Sequence, residues 1–325
     1  MLKQTVVAVL PPDHYVLRNF EPLNQLANVH VGADQDFLAR YVPEGDVILY
    51  SGFIGGMPFR QIWQHVKKVK WVHSLSAGVE SALIPEFVNS PVPLTNARGV
   101  FAPSLAEFVL LGMLYFYKRV RRLVENQRAH KWDDFLVDWL RGKVMGVVGY
   151  GEIGRECARL AKAVGVRIYA TRRNPEKSHN DPIVDRMFAI SDLQSMLAGA
   201  DVVVAAAPLT PETKHMLGKA EFAAMKPSAI VMNVGRGPVI DEAAMIEALQ
   251  EKRIAGAALD VYEAEPLAVN SPLWDMENVL ISPHCTDRTT DPDWLDLSAQ
   301  LFVENFRRFA NGEPLRNIVD KKAGY

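Results

Sequence analysis

Val147-Val148-Gly149-Tyr150-Gly151-Glu152-Ile153-Gly154 is an apolar run that ends in three glycines spaced G-x-G-x-x-G. Each glycine in that spacing has its own mechanical task. The first permits a tight turn out of a strand, the second lets the backbone come close to a pyrophosphate, and the third lets the following helix pack on the strand. The phosphates then lie on the helix N-terminus, where unpaired N–H groups and the positive end of the helix dipole attract an anion without any basic side chain. The flanks supply the rest of the frame: Lys143 to Val148 is strand-like, Arg155 to Val164 is helix-compatible, and Val166 to Ala170 is strand-like again. A βαβ unit of about thirty residues is the context that separates a dinucleotide loop from an ordinary glycine turn.

The chain has 325 residues, 49% hydrophobic and 23% charged, which is globular composition with room for two domains. A net charge of -2 offers no electrostatic footprint for nucleic acid or an anionic membrane, so neither partner is expected. The longest apolar run, Phe108 to Phe116, is too short to span a bilayer. Met1-Leu2-Lys3 leads into Thr5 to Leu10, which reads as a strand rather than a signal segment, and the expected location is the cytoplasm. Cys157 and Cys285 stand far apart and the histidines are scattered, so neither a disulfide framework nor a metal site is expected.

Upstream, Thr5 to Leu10, Asn28 to Val31, Asp46 to Tyr50, Lys70 to Leu75 and Val92 to Asn96 read as strands alternating with helical patterns, which implies a parallel sheet covered on both faces. Small-residue loops, Ser51-Gly52-Phe53-Ile54-Gly55 and Ser76-Ala77-Gly78, follow two of these strands, where ligands of open α/β sheets bind. Pro103-Ser104-Leu105-Ala106-Glu107 has the letters of a capping box at Ser104. It opens one long helix that is apolar through Tyr117, turns basic at Lys118, Arg119, Arg121 and Arg122, and fades near His130. Downstream strands are expected at Asp201 to Ala206, Ala229 to Val234, Gly256 to Val261 and Val279 to Ser282, giving six parallel strands with the two around the glycines. The tail is a helix over Asp291 to Asn311 followed by Leu315 to Val319, and its spacing does not say which domain it joins.

Three further stretches, Asn233-Val234-Gly235-Arg236-Gly237, Leu259-Asp260-Val261-Tyr262-Glu263-Ala264-Glu265-Pro266 and Ser282-Pro283-His284, complete a pattern with the glycine motif. In order and spacing it resembles the D-isomer-specific 2-hydroxyacid dehydrogenases, and within them the glyoxylate/hydroxypyruvate reductase branch, from about Ser51 to Val319. The resemblance implies an α/β protein of two doubly wound parallel-sheet domains. A flavodoxin-like substrate domain (1–103 and 286–325) would carry an inserted Rossmann dinucleotide-binding domain (104–285), with a homodimer formed through the 104–130 helix. It also implies cofactor contacts from Gly149 to Gly154, including Tyr150, Gly151, Glu152 and Ile153, and from Pro208, Val234 and Gly235. Asp260 would meet the nicotinamide carboxamide, and the backbone of Ser76, Ala77 and Gly78 would hold the substrate carboxylate.

The chemistry asked of such a site can be matched to residue types. Reducing a 2-oxo acid needs a hydride donor, a proton for the carbonyl oxygen, and a cation that grips the carboxylate. Arg236 offers a planar fork matched to a carboxylate. His284 belongs to the one side-chain type that ordinarily titrates near neutrality, and Glu265 would be the carboxylate partner that favours its protonated form. Where the resemblance would lead one to expect small residues after the histidine, the chain has Cys285-Thr286-Asp287-Arg288, and an Arg288 facing the pocket would favour a second substrate carboxylate. His73 and His215 belong to no motif and read as structural.

The second strand of the βαβ unit ends Tyr169-Ala170-Thr171-Arg172-Arg173, with no acid to accept a ribose 2′-OH and two guanidinium groups suited to a 2′-phosphate. NADPH is therefore the expected cofactor, NAD(H) the second choice, with Lys177 and His179 as weaker phosphate contacts. The expected activity is hydride transfer from NADPH to a small 2-oxo acid of the glyoxylate/hydroxypyruvate type, giving the D-2-hydroxy acid. Two rivals share the architecture: a dinucleotide-sensing corepressor-like binding protein, and an alanine dehydrogenase or transhydrogenase-like protein that lacks the Arg236, Glu265, His284 set.

Overall fold

The computed structural model describes residues 3–51, 57–178, 180–288 and 292–325. Loop residues Gly52 to Gly55 and His179 lie outside the described residues, as does the side chain of Lys177. The chain divides into two compact units, Met1–Phe101 with Thr289–Tyr325, and Ala102–Arg288. No helix among the described residues is long and apolar enough to cross a membrane.

In the first unit five parallel strands, β1 (Gln4–Val9), β2 (Ala27–Gly32), β3 (Val47–Tyr50), β4 (Trp71–Ser74) and β5 (Leu94–Asn96), lie in the order β2-β1-β3-β4-β5. That is the flavodoxin-like order. Alternate side chains of a strand point to opposite faces, so each strand feeds two cores. Val6 and Ala8 join Trp71, Phe302 and Phe306 on one face, while Val7 and Val9 join Tyr50, Phe59 and Phe87 on the other. The tail helix Pro292–Asn311 therefore packs on this unit, with Phe302 and Trp71 ring centroids 5.4 Å apart. Beyond it, an antiparallel bridge between Ile318 and Thr95 lays the tail along the outer edge of β5.

The second unit has seven strands: β6 (Val144–Val148), β7 (Arg167–Thr171), β8 (Arg186–Phe188), β9 (Val202–Ala205), β10 (Ile230–Asn233), β11 (Gly256–Leu259) and β12 (Val279–Ile281). Their order is β12-β11-β10-β9-β6-β7-β8, and every ladder is parallel. Strand order reverses between β6 and β9, so the glycine loop leaves β6 at the switch point where such sheets bind ligands. The six expected strands are present and β8 is additional. It is a three-residue edge strand, too short for any period to mark it, held by pairing Tyr169 with Arg186 and Thr171 with Phe188.

Two expectations about the long helix fail. Ser104 is not an N-cap: the helix runs Ala102–Tyr117, and the Ser104 hydroxyl, already inside the first turn, donates to the Thr286 carbonyl. Pro103 favours the earlier start, because its fixed φ suits the first turn and its missing N–H is not needed there. Nor does one helix reach residue 130. Arg119 adopts a left-handed φ of 53°, which a right-handed helix cannot absorb, and a second helix begins at Val120–Arg128. The first helix is drawn tightly onto the sheet at Gly112, where an added Cβ would lie 3.1 Å from both Ala258 and Met232.

Candidate active site

The three glycines of the β6 loop do different work, and the space around each shows it. Gly149 has φ 95°, and an added Cβ would run into the backbone of Ala206 and Ala207. A Cβ on Gly154 would press on Val147 and the Gly149 carbonyl. A Cβ on Gly151 would meet nothing within 4 Å. Gly149 and Gly154 thus make the turn and the helix packing, while Gly151 opens the N-terminus of helix Glu152–Ala163 to whatever approaches it. The open glycine and a helix N-terminus of more than two turns together fit a dinucleotide pyrophosphate.

The end of β7 is tied to this loop, since Gly149 and Tyr150 donate to the Thr171 carbonyl at 3.2 and 2.9 Å. Thr171 is fully buried, Arg172 donates to the Ser178 hydroxyl, and Arg173 lies 3.5 Å from Glu212. Asp181 accepts from the Tyr150 hydroxyl at 3.1 Å and from Arg155 at 2.7 Å, pinning the segment after β7 against the glycine loop. Burial pushes the Asp181 carboxyl up, but the bonds from Arg155, the Ile183 N–H and Tyr150 outweigh it and hold the group below the ordinary carboxylate range.

Three more turns carry the expected chemistry at the ends of β10, β11 and β12. After β10, Asn233 folds its side chain over the turn, accepting from Gly235 N–H at 3.2 Å and donating to the Arg236 carbonyl at 3.1 Å. Arg236 lies beside this bond and donates to the Gly235 carbonyl at 2.8 Å. A Cβ on Gly237 would collide with the Tyr262 carbonyl, so the β10 and β11 turns touch backbone to backbone. After β11, buried Asp260 accepts through Oδ1 from the Ser282 hydroxyl at 2.8 Å and from the N–H groups of Cys285 and Thr286 at 3.1 and 3.2 Å. The Tyr262 hydroxyl donates to the Ser282 carbonyl at 2.8 Å.

Those bonds hold the β12 turn, and His284 sits in it with a left-handed φ of 49°. Glu265 completes the arrangement: Oε1 accepts from Tyr262 N–H at 3.0 Å and Oε2 lies 2.7 Å from His284 Nδ1. A carboxylate only accepts, so Nδ1 carries the proton in that bond and proton exchange falls to Nε2. Burial pushes the neighbouring Asp287 carboxyl above its ordinary range, despite the opposing influence of His284 and Arg288.

Other expected residues have plainer places. Val234 donates to the Ala205 carbonyl at 3.1 Å, the Pro208 carbonyl accepts from Thr213 at 2.6 Å, and Arg288 is exposed. His215 pairs with Glu263 at 2.7 Å, and His73 is buried in β4, where desolvation pushes its imidazole down to about 3. In the first unit, Ser76, Ala77 and Gly78 form the turn after β4, with Ser76 donating to the Ser74 hydroxyl at 3.2 Å. The supporting roles of Asn233, Tyr262 and Ser282 were not singled out from sequence. Each acts through a bond whose partner depends on the folded turns.

The family profile described as D-isomer specific 2-hydroxyacid dehydrogenase, NAD binding domain, matches residues 110–286. The chain is 32% identical over 273 residues to a glyoxylate reductase of Thermococcus litoralis, covering 81% of this chain and 80% of that one. It is 34% identical over 274 residues to glyoxylate/hydroxypyruvate reductase B of Salmonella newport, covering 81% and 82%. The crystal structure of a D-isomer specific 2-hydroxyacid dehydrogenase from Xanthobacter autotrophicus, in complex with NADPH and MES, superposes with a TM-score of 0.85 at 28% identity over 99% of this chain and 100% of that one. The glycine loop, Arg236, Glu265 and His284 all lie within the residues that the profile matches, and the chain belongs to the D-isomer-specific 2-hydroxyacid dehydrogenases, oxidoreductases that use a nicotinamide dinucleotide.

Proposed function

We propose that the protein reduces a small 2-oxo acid of the glyoxylate/hydroxypyruvate type with NADPH, giving the D-2-hydroxy acid where the product is chiral. The observation that carries this reading is the 2.7 Å bond between His284 Nδ1 and Glu265, beside the turn that presents Arg236. A bound nicotinamide would supply the hydride; the remaining tasks fall to the chain. Arg236 binds the substrate carboxylate and polarises the carbonyl, and His284 delivers a proton from Nε2 to the carbonyl oxygen. Glu265 orients the ring through its bond to Nδ1. The backbone of Ser76, Ala77 and Gly78 is assigned the second grip on the carboxylate, as the family resemblance implies.

The NADPH preference is supported by Arg172 and Arg173 at the end of β7, where no acid stands. Asp260 is assigned a dual part, holding the His284 turn through Oδ1 and facing the nicotinamide carboxamide. The names of the relatives support a short substrate, and exposed Arg288 gives no reason to prefer a dicarboxylate. A homodimer through the 104–130 helices is part of the same proposal, and the arm that follows them supports it, because Trp132, Leu136 and Trp139 are 100%, 88% and 71% exposed, too much apolar surface to leave in water.

The test is steady-state kinetics with glyoxylate, hydroxypyruvate, pyruvate, oxaloacetate and a branched 2-oxo acid, each with NADH and NADPH. The proposal expects the first two to lead with NADPH. A branched or dicarboxylic substrate winning by about tenfold, more than a methylene of fit supplies, refutes the small-acid reading. Dinucleotide binding without turnover of any of them favours the corepressor-like rival.

A further inference from the structure

We propose that Asn96 and Asn317 are positioning residues that aim the substrate loop, turning the N–H groups of Ala77 and Gly78 outward as a two-point carboxylate cradle; this rests on the function proposed above.

In a trans peptide the carbonyl and the following N–H point in opposite directions, so fixing one fixes the other. The Ser76 carbonyl accepts from Ala97 N–H at 3.2 Å, and the Ala77 carbonyl accepts from Asn96 Nδ2 at 2.6 Å. Both carbonyls are thereby drawn toward the segment that follows β5. The N–H groups sharing those two planes, Ala77 and Gly78, must face the other way. Neither donates to any acceptor among the described residues, and both residues are only half-buried. Successive N–H groups presented in this way form an anion-binding concavity.

Asn96 can hold that geometry because it is itself held. Its side chain is buried, and its Oδ1 accepts from Arg98 N–H at 3.4 Å. On its other side lies the C-terminal tail. Asn96 N–H donates to the Asn317 carbonyl at 3.3 Å, and Asn317 Nδ2 returns bonds to the carbonyls of Asn96 at 3.3 Å and Arg98 at 2.8 Å. Asn317 reaches both by adopting φ 55°, a left-handed conformation that asparagine tolerates better than most residues. Fully buried Asn305 fixes the register of the tail, donating to the Arg316 carbonyl at 3.1 Å and accepting from Arg316 N–H at 2.8 Å. Val319 donates to the Leu94 carbonyl at 2.8 Å and closes the edge. A line of asparagines thus runs from the tail helix to the Ala77 carbonyl.

The experiment compares wild type with Asn96→Ala and Asn317→Gly, the glycine chosen because it accepts the positive φ and removes only the side-chain bonds. For each, KM and kcat for glyoxylate, the inhibition constant of oxalate, the NADPH dissociation constant and the melting temperature are measured. The expected result is a rise of about three- to tenfold in KM and in the oxalate constant, the size of one or two lost hydrogen bonds, with kcat and NADPH affinity held within about twofold. KM values unchanged in both variants, or a rise in KM accompanied by an equal loss of kcat and of NADPH affinity, would overturn the proposal. Should Asn96→Ala fail to fold, Asn317→Gly decides alone. A wild type that turns over no 2-oxo acid and binds no oxalate removes the function proposed above instead, so the two failures are told apart.

Discussion

Glu265 divides its carboxylate between two tasks, one oxygen accepting from Tyr262 N–H at 3.0 Å and the other 2.7 Å from His284 Nδ1. The first bond fixes the acid against its own turn, so the second fixes the ring. The histidine is therefore oriented by backbone geometry rather than by a flexible side chain alone.

Replacing His284 with Ala should lower kcat by roughly 10²–10⁴-fold while NADPH affinity survives, because only the proton donor is lost. Glu265→Gln should also lower kcat, since glutamine has one acceptor oxygen for the two donors, Tyr262 N–H and His284 Nδ1–H, that the carboxylate serves, and its NH₂ must face one of them. Fluorescence titration of NADPH beside stopped-flow turnover checks both. A His284→Ala enzyme that keeps more than about a tenth of wild-type kcat is incompatible with general-acid catalysis by this residue.

Gly237 and Gly151 should respond oppositely to a single added methyl. At Gly237 the methyl meets the Tyr262 carbonyl, which is backbone and cannot swing away, so Gly237→Ala should cost about 1–3 kcal/mol of stability and spoil the Arg236 turn. At Gly151 it meets no protein atom within 4 Å, so Gly151→Ala should leave the melting temperature unchanged and weaken dinucleotide binding. Equal loss of stability in the two would mean that Gly151 is structural and that the open face is not a ligand face.

Much of this arrangement was legible because it is written in local spacing. The glycine loop, the strand-end Arg236 and His284, and the alternation of strands with helices all depend on residues within one βα unit. What was not legible depended on competition or distance. The letters at Ser104 and Glu107 spell a capping box, but Pro103 one residue earlier starts the helix sooner and sends the serine to Thr286 instead. Arg119 gives no hint in its letter that it will turn left-handed and break the helix. β8 is too short to show a period, and the tail's choice of domain rests on Phe302 and Phe306 meeting Trp71, a contact that spacing cannot foresee.

The end of β7 should decide the cofactor. A charge-assisted hydrogen bond is worth about 1.5–3 kcal/mol, so Arg172→Ala or Arg173→Ala should lower kcat/KM for NADPH by about tenfold or more and leave NADH little changed. Glu212, 3.5 Å from Arg173, competes with an incoming phosphate, and Glu212→Gln should shift preference further toward NADPH. Wild-type enzyme that uses NADH and NADPH equally well would sink this assignment.

The exposed arm after the second helix should carry association. Trp132, Leu136 and Trp139 lie in a stretch without regular structure, and burying even two such side chains against a second copy removes several kcal/mol of unfavourable apolar exposure. Light scattering at micromolar concentration should give a dimer for wild type and a monomer for the double variant Trp132→Glu, Leu136→Glu. A monomeric wild type ends the homodimer proposal.

His73 should make the first unit sensitive to acid. Its ring is fully buried in β4, Nδ1 lies 2.6 Å from the Thr95 hydroxyl oxygen, and that oxygen already accepts from Trp71 Nε1 at 2.8 Å. Nε2 has no partner among the described residues, so a protonated ring would carry a second N–H into apolar surroundings with nothing to receive it. Desolvation accordingly pushes the folded pKa down to about 3 from an ordinary 6.5. Between those values the unfolded chain binds a proton that the folded chain refuses, so stability falls as the pH drops below about 6.5. From pH 7.5 to pH 5 the loss attributable to this one residue is about 2 kcal/mol, from a limiting slope of about 1.4 kcal/mol per pH unit. Buried His14 is displaced the same way by burial and contributes in the same direction, so the comparison must be between wild type and His73→Gln rather than against zero. Unfolding free energies from urea titrations at pH 7.5 and pH 5 should differ less in His73→Gln than in wild type, by about that 2 kcal/mol. A variant whose stability falls with acid as steeply as wild type would show that His73 is not the group responsible.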